Sequence, residues 1–357
     1  MQENYFMGLD GFVWFTGVVE DRNDPSKLGR VKVRCLGLHT ESLVDIPTED
    51  LPWAHIMQST NNPSMQGLGN TPSFLVEGTW VVGFFLDAVE KQQPLIMGTL
   101  PGIPQAVADT TKGFNDPNGT YPSEKITHSD HAIEESDVNR LARNDTDKAH
   151  AVVSTKNTGR TTGVAIANSS TTFDEPSSAY AASYPKNHVM ETESGHIKEY
   201  DDTSGQERIH EYHTKGTFYE IDKDGNKSTR IVGDNYEVVA GSDFVNIKGS
   251  ANLTIDSNCN TYIKGDWNIQ VDGSKTEVIK GSRMTMIMGA DTLNIAAMRS
   301  KVVGAAESNA IGGAQTDTVG GAQITSVGGF ISQKAGAKIS HMAGGNFKVT
   351  APRIDLN

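Results

Sequence analysis

The residues best able to do chemistry in this 357-residue chain are few and scattered. His210 and His213 carry metal-ligand atoms three residues apart. In a strand, residues at that spacing face opposite sides, so the two read as surface or interface histidines. His341 stands alone and would need copies of itself around an axis to make a ligand set. Glu134, Glu135 and Asp137 form a carboxylate cluster beside a possible short helix over 134–143. Acidic residues there suit a solvated helix start, which the helix dipole favours. Gly67-Leu68-Gly69 fails as a dinucleotide fingerprint because Pro72 occupies the place of the third glycine. Cys35 and Cys259 lie far apart, make no metal-ligand spacing, and read as free thiols suited to a reducing compartment. No Ser-His-Asp or Cys-His constellation can be assembled. The expectation is a chain with no catalytic residue, no metal and no cofactor.

The strongest pattern belongs to the scaffold. From residue 225 onward the sequence repeats every eight residues. Glycine recurs at Gly225, Gly233, Gly241, Gly249, Gly265, Gly273, Gly281, Gly289, Gly313, Gly321, Gly329 and Gly345, and Ser257, Ala297, Ala305 and Ala337 fill the skipped steps. Two residues before each small position stands a β-branched aliphatic: Ile231, Val239, Ile247, Ile255, Ile263, Val271, Ile279, Ile287, Ile295, Val303, Ile311, Val319 and Val327. Ala335 and Ala343 continue the series with smaller side chains. A period of eight fits neither an α-helix nor a heptad coil. It fits a short strand ended by a corner, with Val and Ile favouring extended backbone and glycine permitting the angles of a sharp bend. One aliphatic per octad cannot enclose a core around a single chain. Three chains can, if each supplies one wall of a triangular prism.

Charge and composition exclude several classes. The net charge is −13. Residues 1–224 carry a net −15 and residues 225–357 a net +2, so a basic stripe for nucleic acid is not expected. Apolar runs such as Trp80–Leu86 fall far short of a membrane span, and the start of the chain has no signal-like apolar run.

Ahead of the octads, residues 12–102 read as a five-stranded barrel. Its candidate strands are Phe12–Glu20, Arg30–Leu38, Trp53–Met57, Thr79–Asp87 and Pro94–Leu100, with turn formers between them. Trp14, Trp53 and Trp80 read as core or interface residues, since the acidic surroundings argue against a nucleic-acid face. Residues 103–183 are polar and turn-rich, with a loop at Gly113–Gly119 and an extended Ser/Thr-rich linker over 154–178. From Tyr184 to residue 224, apolar and polar residues alternate as in short strands joined by tight turns.

Three segments together carry a resemblance. They are Gly17-Val18-Val19-Glu20-Asp21-Arg22-Asn23-Asp24-Pro25 running into Leu28-Gly29-Arg30-Val31-Lys32-Val33-Arg34, the segment Glu77–Phe85, and the valine-x-glycine octads. The chain resembles the central spike proteins of contractile phage tails, related to the VgrG family of type VI secretion spikes. The resemblance implies an all-β homotrimer: OB-fold barrel (1–102), linker with a short helix (103–183), β-rich neck (184–224) and an intertwined triple-stranded β-helix (225–357). It implies a virion baseplate protein that punctures the host envelope mechanically on sheath contraction, with a separate tail hub docked at the barrel. Some members carry a lysozyme domain between barrel and needle. The interval here is too short and too linker-like for one. Others hold iron at the tip through a His-x-His motif that this sequence lacks. Phe347, Val349, Ile354 and Leu356 would leave a blunt apolar end, expected to bind a PAAR-type tip protein. The alternatives are a spike of a type VI secretion or other phage-derived injection system, and a cell-wall hydrolase.

Overall fold

A computed structural model describes residues 11–70, 72–124, 133–145 and 151–354. The chain divides into two compact units, Met1–Ile263 and Lys264–Asn357. The secondary structure is mostly sheet with few helices.

The first unit opens with a closed barrel of β1 (Val13–Asp21), β2 (Val31–Cys35), β3 (Trp53–Ile56), β4 (Trp80–Phe85) and β5 (Pro94–Thr99), ordered β1-β2-β3-β5-β4 and closed by β1 against β4. All pairings are antiparallel except β3 with β5. The five strands lie within a few residues of those expected from the sequence. Phe15, Val19, Val31, Val33, Cys35, Ala54, Val81, Phe85 and Ile96 fill the interior. Alternation along β1 and β4 selects these residues, and β-branched side chains suit the pleated wall. Gly83 lets β4 close on β5, because a Cβ there would stand 2.0 Å from the Leu95 carbonyl oxygen. Trp14 and Trp80 are exposed and Trp53 is half-buried, so none of the three belongs to the barrel core. Trp14 instead packs edge-on to Phe84 and beside Phe12 at the surface.

The stretch expected to be linker is more structured than its composition suggests. Residues 102–124 pack on the barrel. Asp116 is buried and accepts from the backbone N–H groups of Asn118, Thr120 and Tyr121. The short helix α1 spans only Arg140–Arg143 and is capped by Asn139, whose side chain accepts from Leu141 N. A second helix, α2 (Ala151–Thr158), lies where an extended linker was expected. Ser, Thr and Asn are weak helix formers, so this helix depends on packing. Val152 and Val153 rest against the cluster of Leu141, Ile197, Tyr212 and Phe218. A small hairpin of β6 (Val164–Ala165) and β7 (Thr172–Phe173) follows.

The neck is a five-stranded antiparallel meander: β8 (Asn187–Glu191), β9 (Ile197–Asp201), β10 (Arg208–Tyr212), β11 (Phe218–Ile221) and β12 (Lys227–Arg230). It runs past residue 224, because Asp222–Asn226 is the turn between its last two strands. Gly225, the first glycine of the octad series, occupies that turn with a left-handed φ of 79°. It therefore belongs to a hairpin and not to the repeat.

Candidate functional site

The neck sheet buries one face, and that face has two chemistries. Its register places Ile197 opposite Tyr212 and Tyr212 opposite Phe218, an apolar layer covered by Leu141, Val189 and α2. Two residues along, Glu199, His210 and Glu220 stand opposite one another, joined by Arg208, Asp201 and Asn187. All six are buried. Arg208 donates to Glu199 at 2.7 Å and to Glu220 at 2.9 Å. Lys156 reaches down from α2 to Glu220 at 2.6 Å. His210 Nδ1 lies 2.7 Å from Glu199 Oε2. Burial alone would raise the Glu199 pKa, but the His210 hydrogen bond and the Arg208 charge hold it down at about 2. Burial pushes the His210 pKa down against the pull of Glu199, which keeps the imidazole neutral. Asn187 Oδ1, Asp201 Oδ2, Arg208 Nε and His210 Nε2 have no protein partner among the described residues.

This arrangement corrects the expectation for the histidine pair. His210 is core and not surface, because alternation puts Arg208, His210 and Tyr212 on the covered side of β10. Only His213 is exposed, where it packs against His196 with ring centroids 4.6 Å apart. Among the described residues no group of three or more His, Cys, Asp or Glu could hold a metal ion.

The carboxylate cluster is likewise not a solvated helix start. Glu135 is buried and receives Arg140 at 2.6 and 2.7 Å and Arg143 at 2.6 Å. Asp137 accepts from Gly102 N at 2.7 Å. Both carboxylates fasten chain segments, which is a positioning role. A second buried pair fastens the barrel loops. Arg34 and Glu20 are fully buried and joined at 2.7 and 3.0 Å. Arg34 also donates to the carbonyls of Thr40 and Ile46, and Glu20 accepts from Thr48 Oγ1 and Phe114 N. Gly113 is required beside them, since a Cβ there would stand 2.1 Å from Arg34 Nε. Cys35 lies in the barrel core, where burial pushes its thiol pKa up to about 12, while Cys259 is exposed.

The octad positions have a different character. From 231 to 354 no described residue lies in a helix or strand, every one is exposed, and none makes a backbone–backbone hydrogen bond. The chain is nevertheless regular. In the first unit it bends at 232–233, 240–241, 248–249 and 256–257. In the second it bends at 264–265, 272–273, 280–281 and every eight residues onward to 344–345. Each bend holds the octad glycine or its Ser or Ala substitute. The aliphatics two residues earlier, Ile231 through Val327, are 41–57% exposed and form a single row with one member per octad. Side chains four and two residues before them share their face. There Glu277 approaches Lys275 at 3.8 Å and Arg283 at 3.7 Å, and Lys301 pairs with Glu307.

The octad glycines from Gly233 to Gly345 make their bends without a left-handed φ. Positive-φ glycines end at Gly225. Nor would a Cβ at any of them meet an atom of its own chain within 4 Å. Nothing inside one chain therefore requires glycine there. At the far end Phe347, Val349 and Ile354 are exposed, with the His341 ring stacked on Phe347 at 6.1 Å. Leu356 lies outside the described residues.

The family model described as the Gp5 N-terminal OB domain matches residues 37–188. A protein named Protein Gp5 from Vibrio phage KVP40 is 46% identical over 264 residues, covering 66% of this chain and 61% of that protein. The Pre-baseplate central spike protein Gp5 of Enterobacteria phage T4 is 46% identical over 114 residues, covering 30% of this chain and 20% of that protein. The match thus spans less than two thirds of either relative's length.

Proposed function

From the Gp5-type OB domain and the two Gp5 relatives we infer that this chain belongs to the phage baseplate central spike family, and on that premise we propose that it is the structural spike of a contractile tail, at work in the virion baseplate. Three copies would associate through the octads from residue 231 onward as an intertwined triple-stranded β-helix and transmit axial force when the sheath contracts, puncturing the host envelope. The barrel would dock on a separate hub protein, and Phe347, Val349, Ile354 and Leu356 would seat a PAAR-type tip protein.

The observation that carries this reading is the octad segment. It holds a regular course, with a bend every eighth residue, yet from 231 to 354 none of its described backbone groups pairs with another backbone group of the chain, and Val232 N–H finds only the Thr217 hydroxyl. Such groups are obligatory hydrogen-bonding partners. Fixing a long segment in one conformation costs roughly 1–2 kcal/mol per residue. A chain that meets neither demand alone is shaped for partners. Second copies would supply the ladder partners, cover the half-exposed aliphatic row and abolish free strand edges. They would also explain why the octad corners stay small where one chain leaves open space.

No catalytic step is assigned. Glu135 and Asp137, the carboxylates just ahead of α1, are engaged in holding the chain together. The test is the native mass of the purified full-length protein. A trimer supports the proposal, and a folded monomer overturns it.

A further inference from the structure

The distal part of the second unit differs in charge from everything before it. Lys334, Lys338, Lys348 and Arg353 occur there, and no Asp or Glu stands between Asp317 and Asp355. This happens in a chain whose net charge is −13.

The placement of the lysines matters more than their number. Between two bends, alternate residues face opposite ways. The aliphatic row takes one face. The first, third and fifth residues after each bend take the other. Apolar side chains on that outward face are strongly exposed: Ile324 87%, Phe330 86% and Met342 94%. Lys334 is a fifth residue, Lys338 a first and Lys348 a third. From Ile231 to Gln333 no Lys or Arg occupies an outward position. Lys248, Lys264 and Lys280 sit in bends, and Lys275, Arg283, Arg299 and Lys301 share the aliphatic face. The earlier cations are therefore used at corners or, as with Lys275, Arg283 and Lys301, in ion pairs along the chain. The last three octads alone turn lysines outward, interleaved with outward Phe and Met.

We propose that the outward face of residues 322–350 binds an anionic phospholipid surface. The inference rests on the spike reading above, because it assigns the distal end a lipid target. Lysines at such a surface are attracted by its negative potential, and interleaved apolar side chains enter the boundary between headgroups and acyl chains. The same sites on three copies would form a cationic collar around the end, leaving the rest of the acidic protein repelled from the membrane.

The test uses the full-length protein in co-flotation with vesicles of phosphatidylethanolamine and phosphatidylglycerol, and with vesicles of phosphatidylcholine alone. Binding to the anionic vesicles, weakened by high salt, is expected. The K334Q/K338Q/K348Q variant should bind about a hundredfold more weakly, at about fivefold per lysine near an anionic surface. K264Q/K280Q, at the bends, should bind as the unaltered protein does. Equal binding to both vesicle types, or no loss in the triple variant, would overturn the proposal. So would an equal loss in the bend variant, which would make net charge the cause. Native mass on the same samples separates the two readings. A trimer that ignores anionic vesicles removes this proposal alone. A monomer that binds them removes the spike assembly alone.

Discussion

His210 Nδ1 lies 2.7 Å from Glu199 Oε2, with both side chains buried beneath α2 and the neck sheet. The carboxylate is held ionised and the imidazole neutral, and both shifts destabilise the neck in the same direction of pH. The His210 pKa is lowered below its ordinary 6.5, so below that pH the unfolded chain takes up a proton more readily than the folded one. The Glu199 pKa falls from 4.5 to about 2, so its contribution is present above 4.5 and is lost as pH drops toward 2. Neck stability should therefore be greatest above about pH 6.5 and fall in two stages on acidification. The Glu199 stage corresponds to roughly 3 kcal/mol. Thermal unfolding followed across pH checks this. His210→Gln should remove the upper stage and shrink the lower one, since His210 helps hold Glu199 ionised, whereas an unchanged upper stage would assign it to another group.

Glu220→Gln should destabilise the neck by about 3–5 kcal/mol, because Lys156 and Arg208 would remain buried with one carboxylate fewer. Urea unfolding of the full chain measures the loss. A change under about 0.5 kcal/mol would mean that this face is solvated in solution.

In the barrel, Arg34→Met should cost about 3 kcal/mol or more by leaving Glu20 without its cation in a dry interior. Gly113→Ala should loosen the same site, since the added methyl enters the space of Arg34 Nε. Thermal unfolding of both variants is the check. Stability equal to the parent in Gly113→Ala would show that the 102–124 segment sits differently.

The barrel and the octads were legible in the sequence because each repeats a pattern that only one local geometry satisfies. Alternation with turn residues marked the strands from Phe12 to Leu100, and the Val/Ile-x-Gly period marked every bend from 232 to 345. The neck interior was not legible. Glu199, Arg208, His210 and Glu220 are residue types that normally face water, so His210 read as a surface or interface residue and the other three gave no sign of a buried cluster. Only the cover supplied by α2 reverses that, and α2 was itself hidden by its Ser, Thr and Asn content. Glu135 misled for the same reason, since its two arginine partners lie five and eight residues downstream and become neighbours only after folding. The spacing of the small residues was evident, but the reason they stay small does not lie within one chain, where a Cβ at these glycines would meet nothing within 4 Å.

That difference makes Gly273 informative. In one chain, a side chain there meets nothing within 4 Å. Gly273→Val should therefore leave the barrel and neck intact while lowering the resistance of the assembly to heat and detergent. Gel mobility in SDS with and without boiling reports it. Assembly stability equal to the parent would show that no partner chain approaches this corner.

A muralytic role is tested by a zymogram on peptidoglycan. No clearing is expected from the purified protein, and Glu135→Gln should show its effect in thermal stability, lowering it by about 3 kcal/mol by removing the buried carboxylate that Arg140 and Arg143 share. A clearing zone that Glu135→Gln abolishes would assign the residue a catalytic role.

The central claim is that the octads from residue 231 onward acquire their order from two further copies of the chain. Native mass spectrometry of the full-length protein, at low concentration and near neutral pH, tests this most directly. The account predicts a single species at three times the 38.5 kDa chain mass, with hydrogen exchange protected across the octads. A folded species at 38.5 kDa, with the octad amides exchanging freely, would contradict it.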